Sequence, residues 1–212
     1  MTKPTPRTDA AREPSYPPRL AKLITDVLSP AVLVAVLLLV VSWRANSSLG
    51  QALLQGTVAA AAASLIPIAY ILRGVHRGRL ADWHITVRAQ RKIPLTVCLI
   101  STLGGVLALY LLDAPRLLLA LITVMAVALA VTWPITLVAK WKVSVHALVA
   151  AGVVGTAVTM FGAWGLVTIP VALAVCWSRV ALGDHSGGQV LAGFTIGASA
   201  TFVLLPAIAG SW

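Results

Sequence analysis

The stretch VSVHALVAAGVVGTAVTMFGAWGLVTIPVALAVCWS, residues 143–178, decides the fold, because its 36 residues contain no Asp, Glu, Lys or Arg. One membrane crossing takes only about 20 apolar residues in a helix. The middle of the stretch reads Phe161-Gly162-Ala163-Trp164-Gly165 and is followed by Pro170, and Gly and Pro favour turns. The stretch therefore predicts two membrane-spanning helices joined by a tight turn.

Uncharged stretches of this kind fill most of the chain. Its residues are 59% hydrophobic and 10% charged, and its mean hydropathy is +0.93, which is too apolar for one water-soluble core. The first stretch, 23–43, includes Asp26 near one end, where a carboxylate can reach the headgroups. We predict an all-α, polytopic transmembrane helical bundle of six or seven spans; the seven are roughly 23–43, 51–72, 93–112, 116–139, 144–163, 166–182 and 187–209.

The beginning of the chain has a different composition. Residues 1–18 are rich in Pro, Thr and Arg and lack an apolar run, which predicts a solvated tail and not a cleavable signal peptide. We therefore divide the chain into a disordered basic tail, 1–22, and a transmembrane domain, 23–212. Cys98 and Cys176 fall inside predicted spans without a Cys-x-x-Cys spacing, and we interpret both as packing residues.

The positive charges are distributed unevenly over the two predicted faces. Seven spans leave only Arg44 and Arg116 on one face, whereas the other face carries 14 of the 16 Lys and Arg residues. Positive loops stay in the cytoplasm, so we expect this face and the N-terminus to be cytoplasmic, in a plasma membrane of the bacterial type. The net charge of +10 then indicates topology and attraction to membrane lipids, with no nucleic-acid motif and with the oligomeric state left open.

Three polar clusters fall on the same positive face although they are far apart in the sequence. Ionisable groups beside lipid are costly unless they pair or serve a function. The Arg and Lys side chains of the three clusters can neutralise phosphate oxygens, and a Ser hydroxyl can donate a hydrogen bond to a phosphate oxygen. One His can attack phosphorus while another protonates the leaving group. This chemistry needs no cofactor, and the few carboxylates do not form a metal-site pattern. The clusters are DWHITVRAQRKIP (82–94), KWKVSVH (140–146) and SRVALGDHSGGQ (178–189).

The last two clusters resemble the type 2 phosphatidic acid phosphatase superfamily of integral membrane lipid phosphatases. That family's third motif is Ser-Arg, five residues, His, three residues and Asp, and this chain has Ser178-Arg179, five residues, His185, three residues and Gln189. The family's second motif is Pro-Ser-Gly-His, and residues 143–146 of this chain are Val-Ser-Val-His. The sequence VLAG at 190–193 is also similar to the start of the family's final helix.

The resemblance implies a role for each matching residue. His185 would be the nucleophile that forms a phospho-histidine, and His146 would protonate the departing oxygen. Arg179 and Ser144 would bind phosphate oxygens. The family's first motif, Lys followed six residues later by Arg-Pro, is absent in its literal form. The run from Arg88 to Pro94 is its counterpart, with Arg88 and Arg91 as expected phosphate ligands.

Two departures from the family pattern concern the nucleophile and the phosphate. Val145 replaces a glycine whose backbone approaches the phosphate, and Gln189 replaces the carboxylate that orients the nucleophilic imidazole. An amide oxygen fixes the tautomer of an imidazole but does not stabilise its charged form. Asp82 or Asp184 could supply the missing charge, and we favour Asp82 because Asp184 is adjacent to His185 in the sequence.

Ordinary explanations stand beside these roles. Arg88, Arg91 and Lys92 also fit positive-inside anchors, and Ser144 also fits a helix cap. His84 has no motif support beyond its proximity. The small residues of 147–163 and 192–200 predict close helix packing.

The sequence therefore favours a phosphatase that hydrolyses a lipid phosphate or a polyprenyl (di)phosphate, without choosing among phosphatidic acid, phosphatidylglycerol phosphate and polyprenyl substrates. A non-catalytic lipid-phosphate binding protein is the alternative that Gln189 leaves open. A small transporter is the other, because Pro67, Pro134, Pro170 and Pro206 lie inside predicted spans.

Overall fold

Helices make up the architecture of residues 18–210, the part of the chain that the computed structural model describes, and that part contains no strand. Their bounds are α1 Pro18–Val27, α2 Pro30–Ala45, α3 Leu49–Ala60, α4 Ile66–His76, α5 Lys92–Leu111, α6 Arg116–Leu137, α7 Val145–Phe161, α8 Ile169–Ala181, α9 Gly187–Ser199 and α10 Leu205–Ala209. Short π-helical turns, Ala61–Leu65 and Ala200–Leu204, join α3 to α4 and α9 to α10, and 3₁₀ turns occupy Arg88–Arg91 and Gly162–Thr168.

Six helical stretches in this part of the chain are long and apolar enough to cross a membrane. Large apolar side chains such as Leu173 and Phe202 are exposed on the outside of the bundle, as lipid-facing positions require. The prediction of an all-α polytopic bundle is therefore confirmed. The stretches are Arg19–Ala45, Leu49–His76, Arg88–Leu111, Arg116–Leu137, Val145–Ala181 and Gly187–Ala209.

The 37-residue stretch Val145–Ala181 contains the turn that the sequence predicts. Gly162 has φ +58°, a left-handed conformation that glycine adopts without strain. Gly165 lies against the backbone of Ala157 and Val158 so closely that a Cβ would overlap both. The chain therefore folds back on itself, α8 packs against α7, and the two ends of the stretch approach the same end of the bundle.

The first span differs from its prediction in two ways: its helix begins earlier, and it is divided into α1 and α2. A helix begins at Pro18, five residues before the predicted start, so residues 18–22 of the predicted disordered tail are helical; the rest of that tail, 1–17, lies outside the described residues. Pro30 then separates α1 from α2, because proline lacks the N–H that would continue the helix. The hydroxyl of Thr25 donates to Ser178 Oγ at 2.9 Å, which joins α1 to α8.

Close backbone contact between α7 and α9 fixes the helix that carries His146 and the helix that follows His185. Gly193 lies against the carbonyl of Ser144, and Gly197 lies against that of Leu148, with no room for a Cβ at either position. The backbone N–H of Ser144 also donates to the carbonyl of Gln189 at 3.1 Å. The small residues of these helices thus bring the starts of α7 and α9 together, in agreement with the predicted close packing.

Candidate functional site

The three polar clusters meet at one end of the bundle. Arg91 of the first cluster places Nη2 3.4 Å from Nε2 of His185 in the third, and its Nη1 donates to the carbonyl of Val143 in the second at 2.9 Å. The ring centroids of His84 and His146 are 5.1 Å apart. Residues separated by up to 94 positions therefore form one site, as the parity of the predicted spans requires.

Arg91 is held rigidly between the clusters. Its side chain is buried, with 5% of the residue exposed, and its Nε donates to the carbonyl of Ile85 at 2.9 Å. Together with the bond to Val143, this leaves Nη2 directed at His185. Arg88 is partly buried, and its side chain makes no hydrogen bond or ion pair with another described residue. The two arginines of the run are thus not equivalent, and Arg91 is the one built into the site.

The hydrogen bonds of Gln189 define the tautomer of His185. Ser186 caps α9, and its backbone N–H donates to Gln189 Oε1 at 3.3 Å, so the oxygen and not the nitrogen of this amide occupies that position. His185 Nδ1 lies 3.1 Å from the same oxygen and must donate to it. The proton of the neutral ring is therefore on Nδ1, and Nε2 carries an unshared electron pair.

Arg179 is the most unusual buried side chain of the site. It is 0% exposed, and Nε, Nη1 and Nη2 have no hydrogen-bond partner among the described residues. Its Nη2 lies 2.7 Å from Asp184 Oδ2, an ion pair whose angles are not those of a hydrogen bond. A buried guanidinium whose N–H groups make no aligned hydrogen bond is costly, whereas an oxyanion placed against it would satisfy them.

Ser144 and His146 lie at the start of α7. Ser144 Oγ accepts from the backbone N–H of Ala147 at 3.4 Å and so caps the helix, as the ordinary interpretation of this residue expects. His146 is 5% exposed, and its Nε2 has no hydrogen-bond partner among the described residues. Both polar groups are therefore at the positive end of a helix dipole, where an anion is stabilised.

The predicted orienting carboxylates have other partners. Asp82 accepts from the backbone N–H and the hydroxyl of Thr86, and it has no bond to His185. Asp184 pairs with Arg179, and its carbonyl accepts from Lys142 Nζ at 2.6 Å. Of the three residues expected to orient the nucleophile, only Gln189 contacts it.

Charge and burial together keep His185 neutral. Burial lowers the pKa of His185 to about 3, and the positive charges of Arg91, Lys142 and Arg179 act in the same direction. Burial also lowers the pKa of Lys142, with Arg91 as the next cause. An imidazole in these surroundings retains its electron pair at neutral pH, as a nucleophile must.

The lowered pKa of His185 predicts how stability responds to acid. Between pH 6.5, the ordinary histidine value, and about pH 3, the unfolded chain binds a proton at this position that the folded chain does not, so stability falls as the pH falls through this window. This residue should contribute a loss of about 2 kcal/mol between pH 7 and pH 5. Thermal unfolding in detergent should therefore show a smaller drop in Tm over that range for His185→Gln than for the wild type. An equal drop would contradict a neutral buried His185; His76→Gln, at an exposed position, is the control.

A largely apolar cavity of about 180 Å³ extends from the site into the bundle. His84, Arg91 and His146 line its polar end, and Gly152 lines it six residues further along α7, which is about 9 Å of helix rise. Both π-helical turns contribute to its wall, and such turns are frequent at functional sites. The site thus connects to a space suited to a hydrocarbon chain.

Two residues of the site lack motif support in the sequence. His84 Nε2 lies 2.9 Å from Asp26 Oδ1, and Lys22 Nζ binds the other oxygen of that carboxylate at 2.8 Å. A signal for Asp26 exists in the sequence, since it is the lone carboxylate of the first predicted span. Its partner lies 58 residues away and cannot be read from the sequence.

The chain matches no family model, and no match to it is found among curated proteins or solved structures. The resemblance to lipid phosphatases therefore rests on the motif residues themselves. Within residues 18–210, no group of three or more His, Cys, Asp or Glu side chains is placed to hold a metal ion.

Proposed function

We propose that this protein is an integral membrane phosphatase that hydrolyses a lipid phosphate or a polyprenyl (di)phosphate through a phospho-histidine intermediate. The observation that carries the proposal is the fully buried guanidinium of Arg179, which has an ion pair with Asp184 but, within residues 18–210, no hydrogen-bond partner for any of its three nitrogens. Arg179 lies in the last turn of α8, and its carbonyl accepts from the backbone N–H of His185 at 3.2 Å. An oxyanion receptor beside a nucleophilic electron pair is the arrangement that phosphoryl transfer requires.

The site supports a two-step reaction. In the first step, His185 Nε2 bonds to phosphorus while the ester P–O bond breaks and the leaving oxygen takes a proton; the resemblance assigns that proton to His146. In the second step, water attacks phosphorus and returns a proton to the imidazole that gave one up in the first step. The P–N bond breaks at the same time, which returns the electron pair to His185 and releases phosphate. Arg179 and Arg91 would stabilise negative charge on the phosphate oxygens, together with Ser144, and the N–H groups of Arg179 that lack hydrogen-bond partners in the described part of the chain support this role.

The cavity supports a lipid as the substrate. Its polar end contains His84, His146 and Arg91, whereas His185 and Arg179 lie beyond its lining, and its remaining wall is mostly apolar. Its volume of about 180 Å³ is similar to that of an apolar protein cavity that binds one benzene molecule, so it accommodates the first part of one hydrocarbon chain. The phosphate would then lie among the basic groups while the rest of the tail remains in the bilayer.

Binding without turnover is the second candidate function, and Gln189 favours it. The amide in contact with His185 holds the ring but brings no negative charge to balance an imidazolium. A binding protein with the same site would retain affinity for lipid phosphates and release no phosphate.

We further propose that the site faces the cytoplasm, in a bacterial-type plasma membrane. The loops that build the site carry most of the positive charge, and positive loops are retained in the cytoplasm. In sealed membrane vesicles, phosphate release should then require substrate on the cytoplasmic side. Release from substrate supplied only to the opposite side would reverse this orientation.

The test of the proposed function is phosphate release by the purified protein in detergent, from a panel of single-chain and two-chain lipid phosphates and from the water-soluble p-nitrophenyl phosphate. We expect release from at least one lipid substrate. Binding of lipid phosphates without release from any of them would establish the second candidate and contradict the first.

A variant in the same assay tests whether the cavity holds the lipid chain. Gly152 accepts a Cβ, since the nearest atom to one would be Thr201 Cγ2 at 3.8 Å, and a leucine there would extend into the cavity. Excluding two or three methylenes corresponds to about 2 kcal/mol, so Gly152→Leu should lower kcat/KM for long-chain substrates by about 10-fold or more and leave p-nitrophenyl phosphate unchanged.

Gly104→Leu is the matched control, because Gly104 is exposed on α5 and, apart from the backbone of its own helix, no atom of another described residue lies within 4 Å of its Cβ position. Equal losses in the two leucine variants, or equal losses on short and long substrates, would contradict a chain-binding cavity.

A further inference from the structure

Asp26 and His84 form a carboxylate–imidazole pair that no motif of the site accounts for. Asp26 comes from α1 and His84 from the loop between α4 and α5, and their contact is 2.9 Å long. The carboxylate can only accept, so His84 Nε2 must carry a proton. This leaves Nδ1 as the nitrogen that gains or loses a proton, and it has no hydrogen-bond partner among the described residues.

The position of His84 gives this pair access to the substrate. His84 lines the polar end of the cavity together with Arg91 and His146. Its side chain is 12% exposed, and its ring centroid is 5.1 Å from that of His146. A phosphate ester bound between Arg91 and the two histidines would therefore present its leaving oxygen to either ring.

The charges around the two rings distinguish His84 from His146. Of the four histidines, all within residues 18–210, His84 is the one whose ring is hydrogen-bonded to a carboxylate. His146 is buried beside cations and has no such partner. A general acid must hold a proton when the leaving oxygen develops charge. Burial lowers the pKa of His84, and the hydrogen bond to Asp26 opposes this shift, so a carboxylate favours the protonated ring at His84 and none of the described carboxylates does so at His146. The charged and titratable groups around His84 are Asp26 and Lys22 on α1, Asp82 on its own loop, Arg91 before α5, His146 on α7 and Arg179 on α8.

We propose that His84, held by Asp26, is the catalytic acid that protonates the leaving oxygen, in place of the His146 that the resemblance suggests. The inference rests on the proposed phosphatase function.

When a phosphate binds, its negative charge favours proton uptake at Nδ1 of His84. The ester P–O bond breaks as the P–N bond to His185 forms, and the leaving oxygen takes the Nδ1 proton. Asp26 stays ionised, and the attacking water of the second step returns a proton to Nδ1. His146 then remains neutral and binds a phosphate oxygen.

Substrates with good and poor leaving groups test this role directly. p-Nitrophenolate departs without a proton, whereas the alkoxide of dodecyl phosphate needs one. General acid catalysis contributes about 10²–10⁴-fold, so His84→Gln should lower kcat for dodecyl phosphate by at least about 100-fold and for p-nitrophenyl phosphate by less than about 5-fold. His76→Gln, at an exposed position outside the site, should change neither rate.

Asp26→Asn supplies a readout that a structural role would not move. The variant keeps His84 but removes the charge that stabilises its proton, so the alkaline limb of kcat/KM for dodecyl phosphate should move to lower pH. Asp26→Glu should restore the limb in part.

Two results would overturn the assignment of the acid. The first is an equal loss on both substrates in His84→Gln, and the second is leaving-group dependence in His146→Gln but not in His84→Gln. If the wild type itself released phosphate from neither substrate nor from the lipid panel, the proposed function would fail instead.

Discussion

Replacing His185 with alanine should reduce phosphate release by about 10³-fold or more, because the variant lacks the atom that bonds to phosphorus. Nε2 is unprotonated in the folded protein because Gln189 holds the ring proton on Nδ1. Arg91 Nη2 donates to the electron pair of Nε2 at 3.4 Å, so a phosphate that approaches Nε2 would accept this N–H in its place. The measurement is the initial rate of phosphate release from the best lipid substrate of the panel.

A trapped intermediate strengthens this test. Wild-type protein quenched in alkali after reaction with ³²P-labelled substrate should retain label, and acid should remove it, since a P–N bond is labile to acid. His185→Ala should retain none. His76→Ala, which changes an exposed histidine, should label and turn over like the wild type. Turnover by a correctly folded His185→Ala protein at the wild-type rate would exclude His185 as the nucleophile.

The fold was largely predictable because lipid imposes a simple rule on the sequence. A span must satisfy its own backbone hydrogen bonds and present apolar side chains, so uninterrupted apolar stretches such as 143–178 correspond to helices. The turn within that stretch was also readable, since Gly162 adopts a positive φ. The start of α1 was not readable from the sequence. Thr25 of this helix contacts Ser178, and a contact between residues 153 positions apart leaves no local pattern.

The site was predictable in its location but less so in its connections. Counting spans places the three clusters on one face, and the structure brings them into contact. The capping pattern of Ser186 and Gln189 could have shown from sequence alone that the amide oxygen is fixed. Three connections depend on how the loop 77–87 folds, and no periodic pattern specifies a loop of this kind. They are the burial of Arg91 rather than Arg88, the local bond of Asp82 to Thr86 and the pairing of Asp26 with His84.

Arg179→Met should abolish phosphate binding while leaving the protein folded. The guanidinium is 0% exposed and has no hydrogen-bond partner, so a flexible apolar side chain of similar length removes a desolvation cost and fills the same space. Its ion-pair partner Asp184 is 20% exposed in its side chain and can be solvated when the cation is gone. The Tm of the variant without ligand should therefore be no lower than that of the wild type.

The same substitution should lower kcat/KM for lipid phosphates by about 100-fold or more, since charge-assisted hydrogen bonds contribute about 1.5–3 kcal/mol each and Arg179 can donate at least two. Inorganic phosphate should raise the Tm of the wild type and not that of Arg179→Met. Arg44→Met, on an exposed arginine at the other predicted face, should retain both the activity and the phosphate-dependent shift. A guanidinium that is buried without hydrogen-bond partners in the unliganded fold has its desolvation cost offset when an oxyanion binds. Loss of stability together with an unchanged phosphate shift in Arg179→Met would show that Arg179 is a structural residue and that the phosphate lies elsewhere.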